Sequence, residues 1–255
     1  MPNDYDYTEP KKLISAARLS SYKNSLGLEE DAQLLGAYSW NLTLVGAFYP
    51  LLQLIEVALR NTVNEAAKVS ITTPVDKFWF EAIPFTQETN EQGDLCKPEQ
   101  VKKFIQKFKN AKQSAKAALE EKGKDPNSVT LDQIISQTDF STWEYILDKS
   151  FYNGSDNNYI WPSKLTRAFK KLPRTTQKNQ AFHQRDALRR RIEEIRAFRN
   201  RISHNEPAWR VSDVTSPEEV ISTLEEKLDN MIELLYWISP KFKKYVCDVV
   251  LESRV

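Results

Sequence analysis

The chain has 255 residues, 40% of them hydrophobic and 28% charged, with a formal net charge of +1. These proportions describe an ordinary folded protein and exclude a disordered or membrane-embedded composition, while the length allows one large domain or two small ones. Only six glycines are present and no G-x-G-x-x-G or G-x-x-x-x-G-K-[ST] run occurs, which removes most dinucleotide and P-loop enzymes. Cys96 and Cys247 lie far apart and His183 and His204 are the only histidines. Such a set builds neither a disulfide framework nor a zinc site, so no metal and no cofactor is expected. A reducing, cytoplasmic compartment is expected, since MPNDYDYTEPKK lacks the basic-then-apolar pattern of a secretory leader.

In chain order, Pro10 suits a first helical position, and Leu13, Ala16 and Leu19 repeat at helical spacing to Leu26. An apolar helix follows from Glu29 to Phe48. Pro50 is expected to kink or break it before a continuation through Ala67. The apolar run Leu42–Leu59 is interrupted by Thr43, Pro50, Gln53 and Glu56, and reads as a buried helix pair better than as a membrane span. Thr72-Thr73-Pro74 ends that helix, and residues 84–97 read as a loop. Helices are expected over 98–122, 130–137, 139–150, 163–172 and 178–205. Ser216-Pro217-Glu218-Glu219 reads as a capping box opening a helix with Val220, Leu224, Leu228, Ile232 and Leu235 on one stripe. Ser239-Pro240 starts a last short helix. The expected fold is all-α, with no β-sheet of consequence.

Charge is unevenly placed. Between Ser163 and Arg191 stand Lys164, Arg167, Lys170, Lys171, Arg174, Lys178, Arg185, Arg189, Arg190 and Arg191, with Asp186 the sole acid. Lys97 to Lys124 holds nine lysines against Glu99, Glu120 and Glu121. This asymmetry points to an anion-binding side, of which nucleic acid is the commonest partner. Lys170, Lys171, Arg174, Arg189, Arg190 and Arg191 are the candidate phosphate contacts.

The arginine-rich stretch leads into Arg199-Asn200-Arg201-Ile202-Ser203-His204. Histidine can take or give a proton near neutral pH, and arginine can hold a phosphate with two parallel hydrogen bonds. Asn200 and His204 fall on one helix face, whereas Arg199 lies about 140° from His204 on an ideal helix and must reach around the helix end. Pro207 disfavours helix at Glu206, which places His204 in the final turn. Metal-free RNA cleavage needs a proton acceptor for the 2′-OH, a donor for the leaving 5′-oxygen and positive charge on the phosphoryl oxygens. His204 and Arg199 are the candidate catalytic pair, with Asn200 orienting the histidine or the substrate. One histidine does not serve both proton steps at once, which favours a second copy of the site in a dimer.

The spacing Arg-Asn-x-x-x-His resembles the motif of the HEPN superfamily. Ala37-Tyr38-Ser39-Trp40-Asn41, Ala47-Phe48-Tyr49-Pro50-Leu51-Leu52 and Glu56-Val57-Ala58-Leu59-Arg60-Asn61 resemble the N-terminal half of its Abi-like members. Ser15-Ala16-Ala17-Arg18-Leu19-Ser20-Ser21-Tyr22, Trp161-Pro162 and Arg199 to Pro207 fit the same order, so the resemblance spans roughly residues 13–240. It implies a HEPN-like helical bundle with additional helices. Residues 1–28 would be an N-terminal helical segment and 29–255 the Abi-like domain, with core helices about 29–71 and 178–238 around an insertion about 84–172. It also implies a homodimer acting as an endoribonuclease of an abortive-infection, antiphage or toxin system. Arg199, His204 and Asn200 carry over as catalytic residues, and Glu56, Arg60 and Asn61, with Arg201, as groups lining or supporting the site. Glu56 and Arg60, four apart, also read as a helical ion pair. Glu206 stands where HEPN toxins controlled by tyrosine modification carry that tyrosine, so that control is not implied.

Two other readings fit the same residues. One is a non-catalytic module that holds a partner RNA; the other is a subunit docking an acidic protein. An RNA or protein inhibitor is compatible with the toxin reading. Trp40, Trp79, Trp143 and Trp161 read as core, Trp209 as core or cleft border, and His183 as a surface histidine. Arg196 and Arg201 would bind phosphate or pair with Glu193 and Glu194.

Overall fold

Apolar residues at three- and four-residue spacing carry most of the chain into helix, as expected. The computed structural model describes residues 6–173, 179–209 and 212–251. Its α-helices are α1 (Thr8–Ile14), α2 (Ala16–Leu26), α3 (Asp31–Ser70), α4 (Glu99–Glu120), α5 (Leu131–Ser136), α6 (Phe140–Tyr145), α7 (Leu165–Ala168), α8 (Gln180–Ser203), α9 (Pro217–Ile238) and α10 (Pro240–Tyr245). The fold is all-α. The described residues hold one small sheet, β1 (Glu88–Thr89) antiparallel to β2 (Leu95–Cys96), with Glu88 opposite Cys96.

Four boundaries depart from expectation, and one of them is the helix expected over 139–150, which gives only α6 and a separate 3-10 turn at Lys149–Phe151. Helix begins at Thr8, before Pro10, and is broken at Ser15, whose φ of 81° no helix accommodates. Pro50 does not break α3, which runs through it for 40 residues. Proline removes one N–H, but Leu51 and Leu52, each 1% exposed, anchor the following turn in the core. Expected helix over 163–172 shrinks to four residues, because the Lys171 N–H is taken by the Trp237 carbonyl at 3.1 Å. Residues 84–97 are a loop that contains the short hairpin. Glu219 does cap α9, accepting from the Thr215 N–H at 2.6 Å, while its own N–H donates to Ser216 Oγ at 3.2 Å.

The chain divides into two compact units, and α3, α8, α9 and α10 contribute to both. The first unit takes in Met1–Ile55, Glu194–Leu234 and Lys244–Val255. Its core brings together Leu19 and Tyr22 of α2, Leu34, Leu51 and Ile55 of α3, Ile195, Phe198 and Ile202 of α8, and Val220, Leu224, Met231 and Leu234 of α9. Leu228 and Ile232 of the expected α9 stripe are only half-buried, and Met231 and Leu234 take the deeper positions.

The second unit takes in Glu56–Glu193 and Leu235–Lys243. Its centre is aromatic. Phe108 packs edge-on to Trp79 at 5.4 Å and Trp143 at 5.9 Å, and stacks on Phe80 at 4.2 Å. Three buried indole N–H groups have acceptors: Asn64 Oδ1 for Trp79, Thr138 Oγ1 for Trp143 and the Ile146 carbonyl for Trp161. Those three tryptophans are core.

Asp139 closes the start of α6, accepting from the Thr142 N–H at 3.2 Å and from Lys107 Nζ. Burial pushes its carboxyl up, but hydrogen bonds from Lys107 and Ser141 outweigh that and hold it below the usual carboxylate range. A depressed folded-state pKa contributes stability that is present above the unfolded value and lost as pH falls through the folded one. Asp139→Ala is therefore expected to cost about 1 kcal/mol in urea unfolding at pH 7. The gap from wild type should narrow below about pH 4; a gap unchanged by acid would contradict this role.

By length and composition α3 is apolar enough to cross a bilayer, with mean hydropathy 1.7 in its most apolar window, 22% of which is buried. Among the described residues it is the one helix that meets this test.

Candidate functional site

The motif occupies the end of α8. Ile195, Phe198 and Ile202 recur at helical spacing and face the first unit's core, where the Phe198 ring meets Phe48 edge-on at 5.1 Å. This packing leaves Arg199 and Asn200 half-buried and His204 exposed.

The helix stops by a specific device. Asn205 adopts a left-handed φ of 54°, its N–H donates to the Ile202 carbonyl at 3.0 Å, and the Glu206 N–H donates to the Arg201 carbonyl at 3.1 Å. This pairing is the Schellman arrangement, with asparagine in the usual glycine position. An apolar contact commonly spans the two ends of that motif. Here the Arg201–Glu206 ion pair at 3.1 Å takes its place, and Arg201 also reaches the Trp209 carbonyl at 3.5 Å. Arg201 thus pairs with Glu206, whereas phosphate or Glu193 and Glu194 were the expected partners.

The segment after the motif is tied down from three directions, all within the first unit. Arg18 of α2 donates to the carbonyls of His204, at 3.5 Å, and Asn205. Asn41 of α3, 1% exposed, accepts the Ala208 N–H at 2.8 Å. Trp209 donates its indole N–H to Ser25 Oγ at 3.1 Å. Trp209 is fully buried, 5.7 Å from both Tyr22 and Trp40, so it belongs to the core and not to a cleft border. Burial pushes the Tyr22 hydroxyl up to about 12, with Tyr38 adding to the shift and Arg18 opposing it. Tyr22 therefore stays neutral behind this anchor.

The consequence for His204 is a fixed backbone and a free ring. Its N–H donates to the Asn200 carbonyl at 3.0 Å, and Arg18 reaches its carbonyl at 3.5 Å while bonding the next one, that of Asn205. The imidazole is open to solvent. Ser203 Oγ donates to the Arg199 carbonyl at 2.9 Å, and the Arg199 Nε is buried.

Glu56, Arg60 and Asn61 lie on the part of α3 that belongs to the second unit. Arg60 and Asn61 line a polar cavity of about 360 Å³ with Asn64, Lys68, Asp132 and Ser136. The Arg60 Nε is buried without a hydrogen-bond partner.

The basic stretch is less free than its composition implies. Asp186 pairs with Arg190 at 2.6 Å, Arg189 at 3.7 Å and Arg185 at 3.8 Å, and Glu193 takes Arg189 at 3.0 Å. Burial raises the Asp186 carboxyl, but the Arg190 hydrogen bond and the three guanidinium charges bring it below the usual range. Arg185 is 1% exposed, donates to the Leu147 carbonyl and lies over the Phe182 ring, so it is structural. Arg191 sits 4.9 Å over the Trp237 ring, next to the Trp237 carbonyl that holds Lys171. Lys170 and Lys171 are exposed and His183 is a surface residue. Arg174 and Lys178 lie outside the described residues. Among the described residues no group of three or more His, Cys, Asp or Glu could hold a metal ion.

Comparison with protein families finds a match to the family described as Abi-like protein, over residues 14–210. The chain belongs to the Abi-like family. The match stops short of α9, whereas the expected resemblance ran to about residue 240. It contains Arg18, Ser25, Asn41, the whole Arg199-to-His204 motif and Trp209. Comparisons with curated proteins and with solved structures find no match.

Sequence reasoning missed what Arg18, Ser25 and Asn41 do in this Abi-like chain. Arg18 and Asn41 fell within the family-like segments, but nothing in their local pattern names a carbonyl or N–H more than 160 residues away. Arg18→Ala is expected to cost about 1 kcal/mol, as a charge-assisted donor to two carbonyls is lost. Lysine there should recover part of it, since a single guanidinium nitrogen, Nη1, serves both carbonyls and an ammonium replaces it only over a shorter reach. Urea midpoints for wild type, Arg18→Ala and Arg18→Lys test this ordering; three equal midpoints would contradict it.

Proposed function

We propose that this Abi-like protein is a metal-independent endoribonuclease of a bacterial abortive-infection or toxin system, acting in the cytoplasm. The observation that carries the reading is the end of α8, where a rigidly held backbone presents an exposed His204 beside Asn200 and Arg199. The resemblance of that motif to HEPN ribonucleases supports it.

In the proposed reaction the ribose 2′-oxygen attacks the adjacent phosphorus as its proton is removed. The phosphorus–5′-oxygen bond breaks, and the leaving oxygen takes a proton. A 2′,3′-cyclic phosphate and a 5′-hydroxyl result. His204 exchanges one of these protons, Arg199 holds the non-bridging oxygens, and Asn200 orients ring or substrate. Glu56, Arg60 and Asn61 are assigned supporting or lining roles. Lys170 and Lys171 approach RNA, and Arg189, Arg190 and Arg191 join them to the extent that phosphate displaces their present partners.

A homodimer would supply the second proton-transfer group. Support comes from an uncharged face of α3 in the first unit, on which Ser39, Leu42, Gly46 and Tyr49 are exposed, Leu42 by 47% and Tyr49 by 48%. Incubation of purified protein with RNA and EDTA tests the proposal. Cleavage supports it, while steeply salt-dependent binding without cleavage indicates a module that only holds RNA.

A further inference from the structure

The lysine-rich stretch from Lys97 to Lys124 has no part in the RNA reading, and the structure shows where its charge is directed. Several of its lysines are occupied: Lys103 pairs with Glu99, Lys107 with Asp139 and Lys112 with Glu81. Lys97 and Lys109 have no acidic partner among the described residues. Both border a solvent-open cavity of about 500 Å³ within the second unit.

The cavity floor is apolar. Phe80 stacks on Phe108 as one wall, Ile83 and Phe85 form another, and Ile105 of α4 projects into it while 36% exposed. The Lys97 ammonium stands 5.7 Å over the Phe85 ring, which holds its charge at the mouth. The one acid in the lining is Glu81, and its charge is answered. Burial raises its carboxyl, but hydrogen bonds from Lys112 and the Phe78 N–H bring it below the ordinary range. An apolar floor with two unanswered cations at its rim is complementary to an apolar body carrying a negative group. The lining offers few fixed donors and acceptors to read a nucleobase edge.

We propose that this cavity is a binding site for a small amphiphilic anion, an alkyl or aryl body bearing a carboxylate. The body covers Phe85 and Ile105, and the carboxylate lies between Lys97 and Lys109. The site stands apart from the motif chemistry and does not depend on it.

Titration calorimetry of the full chain with decanoate, below its micelle concentration, tests the proposal against decyltrimethylammonium, which has the same body and opposite charge. Decanoate should bind one to one, about tenfold more tightly than the cation. The double variant Lys97→Ala/Lys109→Ala should lose about that factor for decanoate and none for the cation. Ile105→Asn, which removes the apolar contact without adding charge, should weaken binding of both. Lys97, Lys109 and Ile105 are exposed, so unchanged circular dichroism and melting are expected to accompany these losses. Equal affinity for the two amphiphiles, an unaffected double variant, or no decanoate binding would each overturn the proposal.

Discussion

His204→Ala is expected to lower RNA cleavage by about 10²–10⁴-fold, the range for removal of a positioned proton-transfer group, and to leave the fold unchanged. The second part follows from the structure. The His204 ring is exposed, and what holds this position is backbone: the N–H on the Asn200 carbonyl and the carbonyl under Arg18. Alanine keeps both. Arg199→Ala should cost about 10²–10³-fold in rate, as expected for loss of a group stabilising developing phosphoryl charge. Because Arg199 is half-buried, its melting must be followed alongside. Arg199→Lys separates the causes: lysine keeps the charge but not the paired hydrogen bonds, so it should recover only part of the rate. Cleavage at the wild-type rate in both alanine variants would remove the motif from the mechanism.

The second large effect concerns stability. Trp209→Ala is expected to cost about 3–5 kcal/mol in urea unfolding, the usual range for deleting a fully buried large aromatic. The cavity would open where Tyr22 and Trp40 meet the indole, and Ser25 Oγ would lose its donor. Trp209→Phe keeps the aromatic body and gives up the N–H, so its cost should fall to about 1 kcal/mol. Cleavage should fall with Trp209→Ala even at temperatures where the chain stays folded, because the segment that fixes His204 loses one of its three ties. A Trp209→Ala protein that unfolds at the wild-type urea concentration would contradict the anchor.

How much of this was legible in the sequence differs from element to element. The helix α9 could be read from Ser216-Pro217-Glu218-Glu219 because capping is local, although the carboxylate chose the Thr215 N–H. Pro207 gave the right place for the end of α8, but the working device is Asn205 in a left-handed conformation backed by the Arg201–Glu206 pair. Pro50 looked like a break because one missing hydrogen bond is visible locally, whereas the burial of Leu51 and Leu52 is not.

Charge was the least readable property. Composition counted Arg185 in the stretch that points to an anion-binding side, yet it serves the Leu147 carbonyl from inside the second unit, and a carbonyl has no signature in sequence. The pairs Asp186–Arg190 and Arg189–Glu193 follow from four-residue spacing and could have been written down beforehand. The motif itself was legible as residues, and its rigidity was not. That rigidity comes from Arg18 and Asn41, which meet the motif segment only through folding.

The most direct test of the account is to map the RNA ends left by the purified protein in EDTA. The account predicts 2′,3′-cyclic phosphate and 5′-hydroxyl termini with wild type and none above background with His204→Ala. Ends carrying 3′-hydroxyl and 5′-phosphate, or the same cyclic-phosphate ends at the same rate from His204→Ala, would contradict it.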